Sequence, residues 1–219
     1  MSLVAAVVLV NLVMATSPAG QERPAAEAMA RALQTRYQGI RDFSANFVQT
    51  YRGGVLRTQT SERGTVVIKK PGRMRWLYTD PERKEFVSDG QTLYSYLPED
   101  RQVIVSVLPA ADQATTPALF LTGNGNISRD FVATYAESSA PGTVALKLTP
   151  RQSEPEYEYL VVTIDAVTLQ IRALTTHDRQ GGDSTLTFTD LEENVGRSDN
   201  EFAFRIPRGV DIITDGTAN

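Results

Sequence analysis

The residues with the clearest potential for chemistry lie around the chain's single histidine. His177 stands next to Asp178, and Ser184 follows in the same segment, so a serine hydrolase is one hypothesis. Many such enzymes hold the serine on a sharp turn within a Gly-x-Ser-x-Gly sequence, which does not surround Ser184. A surface histidine in a turn is therefore the simpler interpretation. A hydrolase built on His177 is the alternative from the enzyme class.

Metal and cofactor chemistry have equally little support in the sequence. One histidine and no cysteine leave only carboxylates to complete a zinc site. Several acidic residues accompany predicted turns, where a solvated carboxylate is the ordinary state: Asp80, Glu82, Glu85, Asp89, Glu99 and Asp100. The sequence contains no glycine-rich motif for binding phosphate or a dinucleotide. We therefore expect a protein without a metal site, a cofactor or catalytic residues.

Composition limits the remaining classes of function. The chain has 219 residues, which is enough for one domain with a sizeable core. Its 22 basic and 26 acidic side chains give a net charge of −4, which argues against the basic surface of a nucleic-acid-binding protein. Because the sequence has no cysteine, it offers neither a disulfide nor a cysteine for lipid attachment.

Residues 1–19 are predicted to form a signal peptide. Residues 2–14 are almost entirely apolar, but this stretch is shorter than the roughly 20 residues that span a bilayer. Small residues suit cleavage after Ala15 or Ala19. An uncleaved membrane anchor is the alternative. The remaining residues, 20–219, are predicted to form a single exported domain.

The segment after the predicted signal peptide favours a helix over about residues 24–39. Its alanine, leucine, glutamate and arginine side chains are good helix formers, and Gly39 is placed to end the helix. One apolar stripe recurs at helical spacing through Met29, Leu33, Tyr37 and Ile40. We expect this stripe to lie against a sheet.

Most of the remaining chain predicts β-strands. Runs rich in β-branched and aromatic residues alternate with turn residues, which indicates roughly ten or eleven antiparallel strands in one domain. The runs cover residues 44–52, 55–68, 73–78, 84–88, 92–96, 101–108, 131–138, 143–150, 157–165, 169–178, 183–193 and 201–207. A sheet of this size curls toward a barrel or splits into two layers. Residues 117–121 interrupt the pattern and predict one apolar helical turn.

The segment 63–98 carries the most informative alternation. Met74, Trp76 and Tyr78 fall on one face of a strand, because side chains alternate between faces. The same face is predicted to include residues of other strands: Val66, Ile68, Phe86, Tyr94, Tyr96, Phe188, Phe202 and Phe204. An ordinary core is the simpler interpretation of this face. The wall of an apolar ligand cavity is the alternative, which periodicity alone does not separate from a core.

An ordered set of segments resembles the family of periplasmic outer-membrane lipoprotein carriers, LolA. The segments are FSANFVQT, GTVVIKKPGRMRWLY, KEFVSDGQTLYSYLP, TPALFLTG, VVTID, HDRQGGDSTLTF and FAFRIPRGVDII. Each segment alone is weak evidence for the family, but the order of the whole set is specific to it. The resemblance runs from about Ala26 to Ile213. It implies a mainly β fold, an unclosed antiparallel β-barrel of about 11 strands with a lid of short α-helices over an apolar cavity.

The resemblance also implies roles for individual residues. Acyl chains would lie in a cavity lined by Phe47, Ile68, Met74, Trp76, Tyr78, Tyr94, Tyr96 and Phe188. The lid would present Met29, Leu33, Leu119, Phe120 and Leu121. Lys70 stands where the family has an arginine that holds the lid through backbone carbonyls, so Lys70 is the expected latch, with Arg73 or Arg75 as alternatives. Lysine lacks the planar fork of the guanidinium group.

The function implied by the resemblance is that of a periplasmic chaperone. Family members take lipoproteins from an inner-membrane ABC transporter, cover their acyl chains and deliver them to an outer-membrane receptor. We expect this chain to do the same in the periplasm as a monomer, without a cofactor and without binding nucleic acid. A lipid-binding or envelope-sensing module of the same fold, without lipoprotein transfer, is the alternative.

Overall fold

The structure is a computed structural model that describes residues 24–53, 58–108, 121, 125–138 and 140–214. Helix α1 spans Ala26–Gln38, and α2 is a single turn at Ile127–Asp130. A 3-10 helix covers Asp199–Phe202. The strands are β1 (Asp42–Arg52), β2 (Gln59–Lys69), β3 (Arg73–Asp80), β4 (Lys84–Asp89), β5 (Thr92–Leu97), β6 (Gln102–Val107), β7 (Phe131–Ala136), β8 (Thr143–Pro150), β9 (Tyr159–Asp165), β10 (Ile171–His177), β11 (Asp183–Glu193) and β12 (Asp211–Thr214). The predicted signal peptide at residues 1–19 lies outside the described residues.

Helix α1 matches the prediction for residues 24–39 within two residues at its start. It ends at Gln38, and the next two backbone N–H groups cap it: Gly39 donates to the Arg36 carbonyl and Ile40 donates to the Tyr37 carbonyl. These carbonyls belong to the last turn, where no further helical N–H is available to them. Neither described helix has the length and apolar character needed to cross a bilayer.

The described strands form one sheet in the order β12-β6-β5-β4-β3-β2-β1-β11-β10-β9-β8-β7. Each neighbouring pair is antiparallel, except that β12 lies parallel to β6. The two edge strands, β12 and β7, do not pair with each other within the described residues. The predicted mainly β fold with an unclosed antiparallel sheet is therefore confirmed, with twelve described strands and one parallel pairing at the edge.

The strand predicted at residues 201–207 is wrong. Its first residues belong to the 3-10 helix, which begins with a capping box in which the Ser198 side chain accepts from Asn200 N and Glu201 accepts from Ser198 N. Reciprocal bonds of this kind favour a helical start over an extended chain. The last strand is instead β12, which the sequence did not reveal because all four of its residues are exposed and show no alternation.

Strand register decides which side chains share a face of the sheet. On the inner face, Ile68 lies opposite Met74 and Val66 lies opposite Trp76. Residues directly opposite in an antiparallel pair project to the same side. These residues join the apolar stripe of α1 in one large buried cluster. The inner face and α1 together therefore make the main core.

Gly64 permits a close approach of strands at the centre of the inner face. The register of β2 and β3 shifts between Arg63 and Gly64. A Cβ at Gly64 would lie 2.0 Å from the Leu77 carbonyl oxygen and 3.0 Å from the Phe47 ring. No side chain fits at this distance. Glycine is therefore required at position 64 for β3 and the Phe47 ring to pack against the β2 backbone at this bulge.

Candidate binding site between helix α1 and the sheet

Helix α1 covers the inner face with the stripe that its sequence predicts. Leu33 and Tyr37 are buried, and Met29 is half-buried against the same cluster. Leu121 is helical and buried as well, with 1% of its surface exposed. These are the positions expected for a lid. The two remaining predicted lid residues, Leu119 and Phe120, lie outside the described residues.

Predicted cavity residues form part of the opposite wall of this interior. Five of them are at most 4% exposed: Phe47, Ile68, Met74, Trp76 and Phe188. The Phe47 ring meets Trp76 edge-on at 5.1 Å and Tyr78 at 4.9 Å between ring centroids. Edge-to-face geometry is the favoured arrangement of aromatic pairs. These five residues are therefore buried on the face where the sequence predicts them. Their role in binding acyl chains stays a prediction.

Tyr78 lies at the polar margin of this aromatic group. Its hydroxyl donates to Gln49 Oε1 at 2.6 Å, and the Lys84 ammonium lies 4.7 Å from its ring centroid. Burial, together with the negative charge of Glu62, raises the pKa of the Tyr78 hydroxyl well above its ordinary value. Tyr78 therefore stays neutral and keeps its hydrogen bond throughout the physiological range of pH.

Tyr94 and Tyr96 were predicted to line the cavity, and this part of the prediction is wrong. Tyr94 lies opposite Val87 and Tyr96 lies opposite Glu85, so both project from the outer face of the sheet. There they contact Phe204, with ring centroids 5.2 Å and 6.0 Å away. Alternation within a strand was predicted correctly, but the register of the β4–β5 hairpin determines which alternating set faces inward.

A small second cluster lies beneath the tyrosines on the outer face. Phe202 is 1% exposed and lies outside the main cluster, as do Val87 and Val103, which are fully buried. Phe202 and Phe204 had been assigned to the inner face, and this expectation is also wrong. The segment after β11 therefore crosses the outer face and covers apolar surface there.

Among the described residues, one small space between α1 and the sheet shows how closely the two pack. The space at the C-terminal end of α1 is lined by apolar side chains that include Tyr37, Phe43, Leu121 and Phe188, together with Glu193. It has room for only about one water molecule. An acyl chain needs far more volume, so it can enter this space only if α1 and its neighbours move away from the sheet.

Lys70 lies at the position expected for a lid latch. Its ammonium donates to the Tyr37 carbonyl at 2.5 Å and lies 3.4 Å from the centroid of the Tyr37 ring. The Tyr37 hydroxyl in turn donates to the Leu121 carbonyl at 2.6 Å. Because a cation is favourable at a helix C-terminus, Lys70 suits this end of α1. The neighbouring Lys69 points elsewhere, to Asp199 and the Arg197 carbonyl.

The charge of Lys70 predicts a pH dependence of lid closure. Burial lowers the pKa of Lys70 to about 8, although nearby Glu193 opposes the change. If opening exposes Lys70 to water, the open form binds more protons between about pH 8 and the ordinary lysine value of 10.5. Raising the pH through this window should therefore favour the closed form and weaken binding of an uncharged lipidated peptide several-fold.

The Lys70→Arg variant is the matched control for this pH prediction. Arginine keeps its charge throughout the window, so the variant should bind the peptide with nearly constant affinity. The measurement is a binding titration at several pH values for both proteins. Equal pH dependence in the two proteins would assign the effect to another group.

The residues first considered for hydrolysis are bonded in a different pattern. His177 Nδ1 pairs with Asp183 at 2.8 Å, and its ring stacks on Tyr159. Asp178 accepts the backbone N–H groups of Gln180 and Gly182 and shapes the turn, while Ser184 accepts from Gln49. Nowhere in the described part of the chain do three or more His, Asp or Glu side chains gather as metal ligands would.

Comparison with known proteins agrees with this architecture. Residues 38–205 match the family described as outer membrane lipoprotein carrier protein LolA. This chain belongs to the LolA family. A LolA relative from Hahella chejuensis, an outer-membrane lipoprotein carrier protein, is 32% identical over 188 residues, which cover 84% of this chain and 87% of the relative. One from Cupriavidus taiwanensis with the same description is 28% identical, covering 94% and 97%.

A solved structure shares the fold of this chain without close sequence similarity. An uncharacterized conserved protein from Thermus thermophilus superposes with a TM-score of 0.54 at 14% identity, covering 85% of this chain and 99% of that chain. This likeness concerns the fold alone. Family membership rests on the sequence match, and it makes this chain a member of a family of lipoprotein carriers.

The polar contacts that hold α1 in place were not predictable from the sequence. Arg36 binds Glu193 and the Thr168 carbonyl, and Gln34 accepts from the Ile127 backbone N–H. These partners lie far from α1 in the sequence. A charged residue in the last helical turn was the one available signal, and it does not identify its partner.

Proposed function

We propose that this protein carries lipoproteins by enclosing their acyl chains between α1 and the inner face of the sheet. The observation that carries the proposal is the apolar interior itself. Side chains of α1 and Leu121 occupy it on one side and Phe47, Ile68 and Trp76 on the other. The helix is covalently joined to the sheet at one end and fastened by a few polar contacts, so it can move as a lid without unfolding the sheet.

The energetics of this exchange require a lid of moderate stability. Each methylene of an acyl chain costs about 0.8 kcal/mol to expose to water. One long chain therefore represents roughly 10 kcal/mol, which the carrier must offset during transit. The closed protein buries its own Leu33 and Leu121 in the same space. Because opening gives up these contacts, the net affinity for cargo stays low enough for release.

The proposal places the protein in the periplasm as a monomer in which residues 20–219 form one carrier domain. It would receive lipoproteins from an inner-membrane lipoprotein-releasing ABC transporter and deliver them to an outer-membrane lipoprotein receptor. The family match and the family name of its relatives support this route. Neither a cofactor nor a chemical step is needed, because transfer requires only that the cargo bind the receptor more tightly than it binds this protein.

Trp76 provides a direct test of cargo binding. It is the only tryptophan, it is 4% exposed, and it contacts Phe47 within the proposed cavity. Titration with a lipidated peptide should change the fluorescence of Trp76, because acyl chains would replace some of the side chains that contact its indole ring. The unlipidated peptide of the same sequence should cause no change. Equal responses to both peptides, or no response to either, would contradict the proposal.

Lipoprotein transfer needs a second measurement. Cargo loaded onto the purified protein should move to membranes that contain the outer-membrane receptor, and not to membranes without it. Binding of lipidated peptide without receptor-dependent transfer would favour the lipid-binding or envelope-sensing module instead. In that case the cavity assignment would stand and the carrier assignment would fall.

A further inference from the structure

The C-terminal turn of α1 has a second fastening besides Lys70. The Arg36 guanidinium binds the Glu193 carboxylate in a bidentate pair, with N–O distances of 2.6 and 3.1 Å. Its Nε also donates to the Thr168 carbonyl at 2.5 Å. One side chain thus joins α1 to the end of β11 and to the β9–β10 turn. The pair is largely shielded, with 25% and 18% of the two side chains exposed.

The residues that receive Arg36 are themselves held rigidly. In the β9–β10 turn, the Asp165 carboxylate accepts the backbone N–H groups of Val167 and Thr168. At the end of β11, Glu193 pairs with Phe43 in the sheet. A bidentate ion pair is strong and directional when both partners are fixed. Movement of α1 away from the sheet must therefore break this pair.

Glu193 also acts on Lys70. Glu193 and Tyr37, whose carbonyl accepts from Lys70, line the same small space. The carboxylate there favours the protonated ammonium of Lys70 against the effect of burial. In the part of the chain that the structure describes, the neighbouring charged groups are engaged elsewhere or exposed. Asp42 accepts the N–H groups of Val195 and Gly196, Lys69 pairs with Asp199, and Arg41 is exposed. Among the described acidic residues, Glu193 is thus the one that lies between both cations at the end of α1.

We propose that Arg36 and Glu193 are positioning residues that fasten the lid, and that Glu193 couples this fastening to the one at Lys70. The inference deepens the proposed function, since it assumes that α1 is the lid. It adds a residue pair that controls how readily the lid opens. Loss of either partner should loosen the C-terminal turn of α1 even when no cargo is present.

A double-mutant cycle in the lipid-free protein tests this fastening. In Arg36→Gln and in Glu193→Gln, amide hydrogen exchange of residues 33–38 should be about tenfold faster than in the native protein. The double variant should exchange no faster than the single variants, because they remove the same interaction. Glu192→Gln is the matched control, since Glu192 is the adjacent carboxylate and pairs with Arg197 at 3.5 Å. Its exchange should remain native.

The titration of Lys70 provides a readout that a merely structural role would not change. The sequence has few lysines, at positions 69, 70, 84 and 147, so the Lys70 side chain can be followed by NMR. Glu193→Gln should lower the midpoint of its titration, and Arg36→Gln should raise it by leaving the Glu193 charge unpaired. Unchanged exchange in the variants, an additive double variant, or equal midpoints in the native protein and both variants would overturn the proposal.

These outcomes are separable from those of the proposed function. Exchange and titration are measured without lipid, so they report on the fastening alone. A lipidated peptide that fails to bind any of these proteins would contradict carriage and leave the fastening intact. Normal binding of the lipidated peptide, with unchanged hydrogen exchange in the variants, would contradict the fastening and leave carriage intact.

Discussion

Replacement of Leu33 by alanine should strengthen the binding of a lipidated peptide by about one to three powers of ten. Leu33 is 1% exposed and lies on α1 within the main cluster. Truncation of a buried leucine costs about 2–5 kcal/mol, and most of this loss falls on the closed form, where Leu33 is packed. Because the measured affinity includes the cost of opening, a less stable closed form binds cargo more tightly.

Phe202→Ala is the control for a general loss of stability. Phe202 is as deeply buried as Leu33, but it belongs to the cluster on the outer face. Its truncation should lower the free energy of unfolding and leave the affinity for lipidated peptide close to native. Isothermal titration calorimetry of both variants with lipidated peptide distinguishes an effect on α1 from a general loss of stability. If both variants gain affinity, or if Leu33→Ala gains none, α1 does not compete with cargo.

Phe47→Ala should cause the largest loss of stability among single substitutions on the inner face. Phe47 is 2% exposed, contacts Trp76 and Tyr78 edge-on, and lies over Gly64. Deleting a buried phenylalanine ring costs about 3–5 kcal/mol. No side chain at Gly64 can fill the space, so little compensation is available. Urea denaturation of the lipid-free protein should show a lower midpoint with an unchanged slope.

Val48→Ala is the matched control for Phe47. Val48 is the next residue of β1, points to the other face and is 42% exposed. Its truncation should cost less than about 1 kcal/mol, as is typical of an exposed position. Equal losses for the two variants would show that the aromatic group does not stabilise the sheet.

The success of the sequence predictions depended on how local each signal is. The α1 stripe of Met29, Leu33 and Tyr37 repeats along one element, and Met74, Trp76 and Tyr78 alternate along one strand. Both patterns were sufficient to place these residues on a buried face. The open sheet as a whole followed from the order of the segments, because that order is a property of the family.

The failures arose where the answer depends on contacts between elements. Tyr94 and Tyr96 alternate as cleanly as Met74 and Trp76, yet the hairpin register turns them outward. Phe202 and Phe204 read as a strand, but a capping box at Ser198 starts a 3-10 helix. The partnership of Arg36 with Glu193 joins residues 157 positions apart. Neither periodicity nor composition identifies such a pair.

The central claim is that acyl chains lie between α1 and the inner face of the sheet. The most direct test is a lipidated peptide with a nitroxide on its acyl chain, added to protein with isotope-labelled methyl groups. NMR signals of Leu33 and Ile68, which lie in the main cluster, should broaden strongly. Signals of Val87 and Val103, which are buried outside that cluster, should be much less affected. Equal broadening of the two groups, or stronger broadening of the valines, would contradict the account.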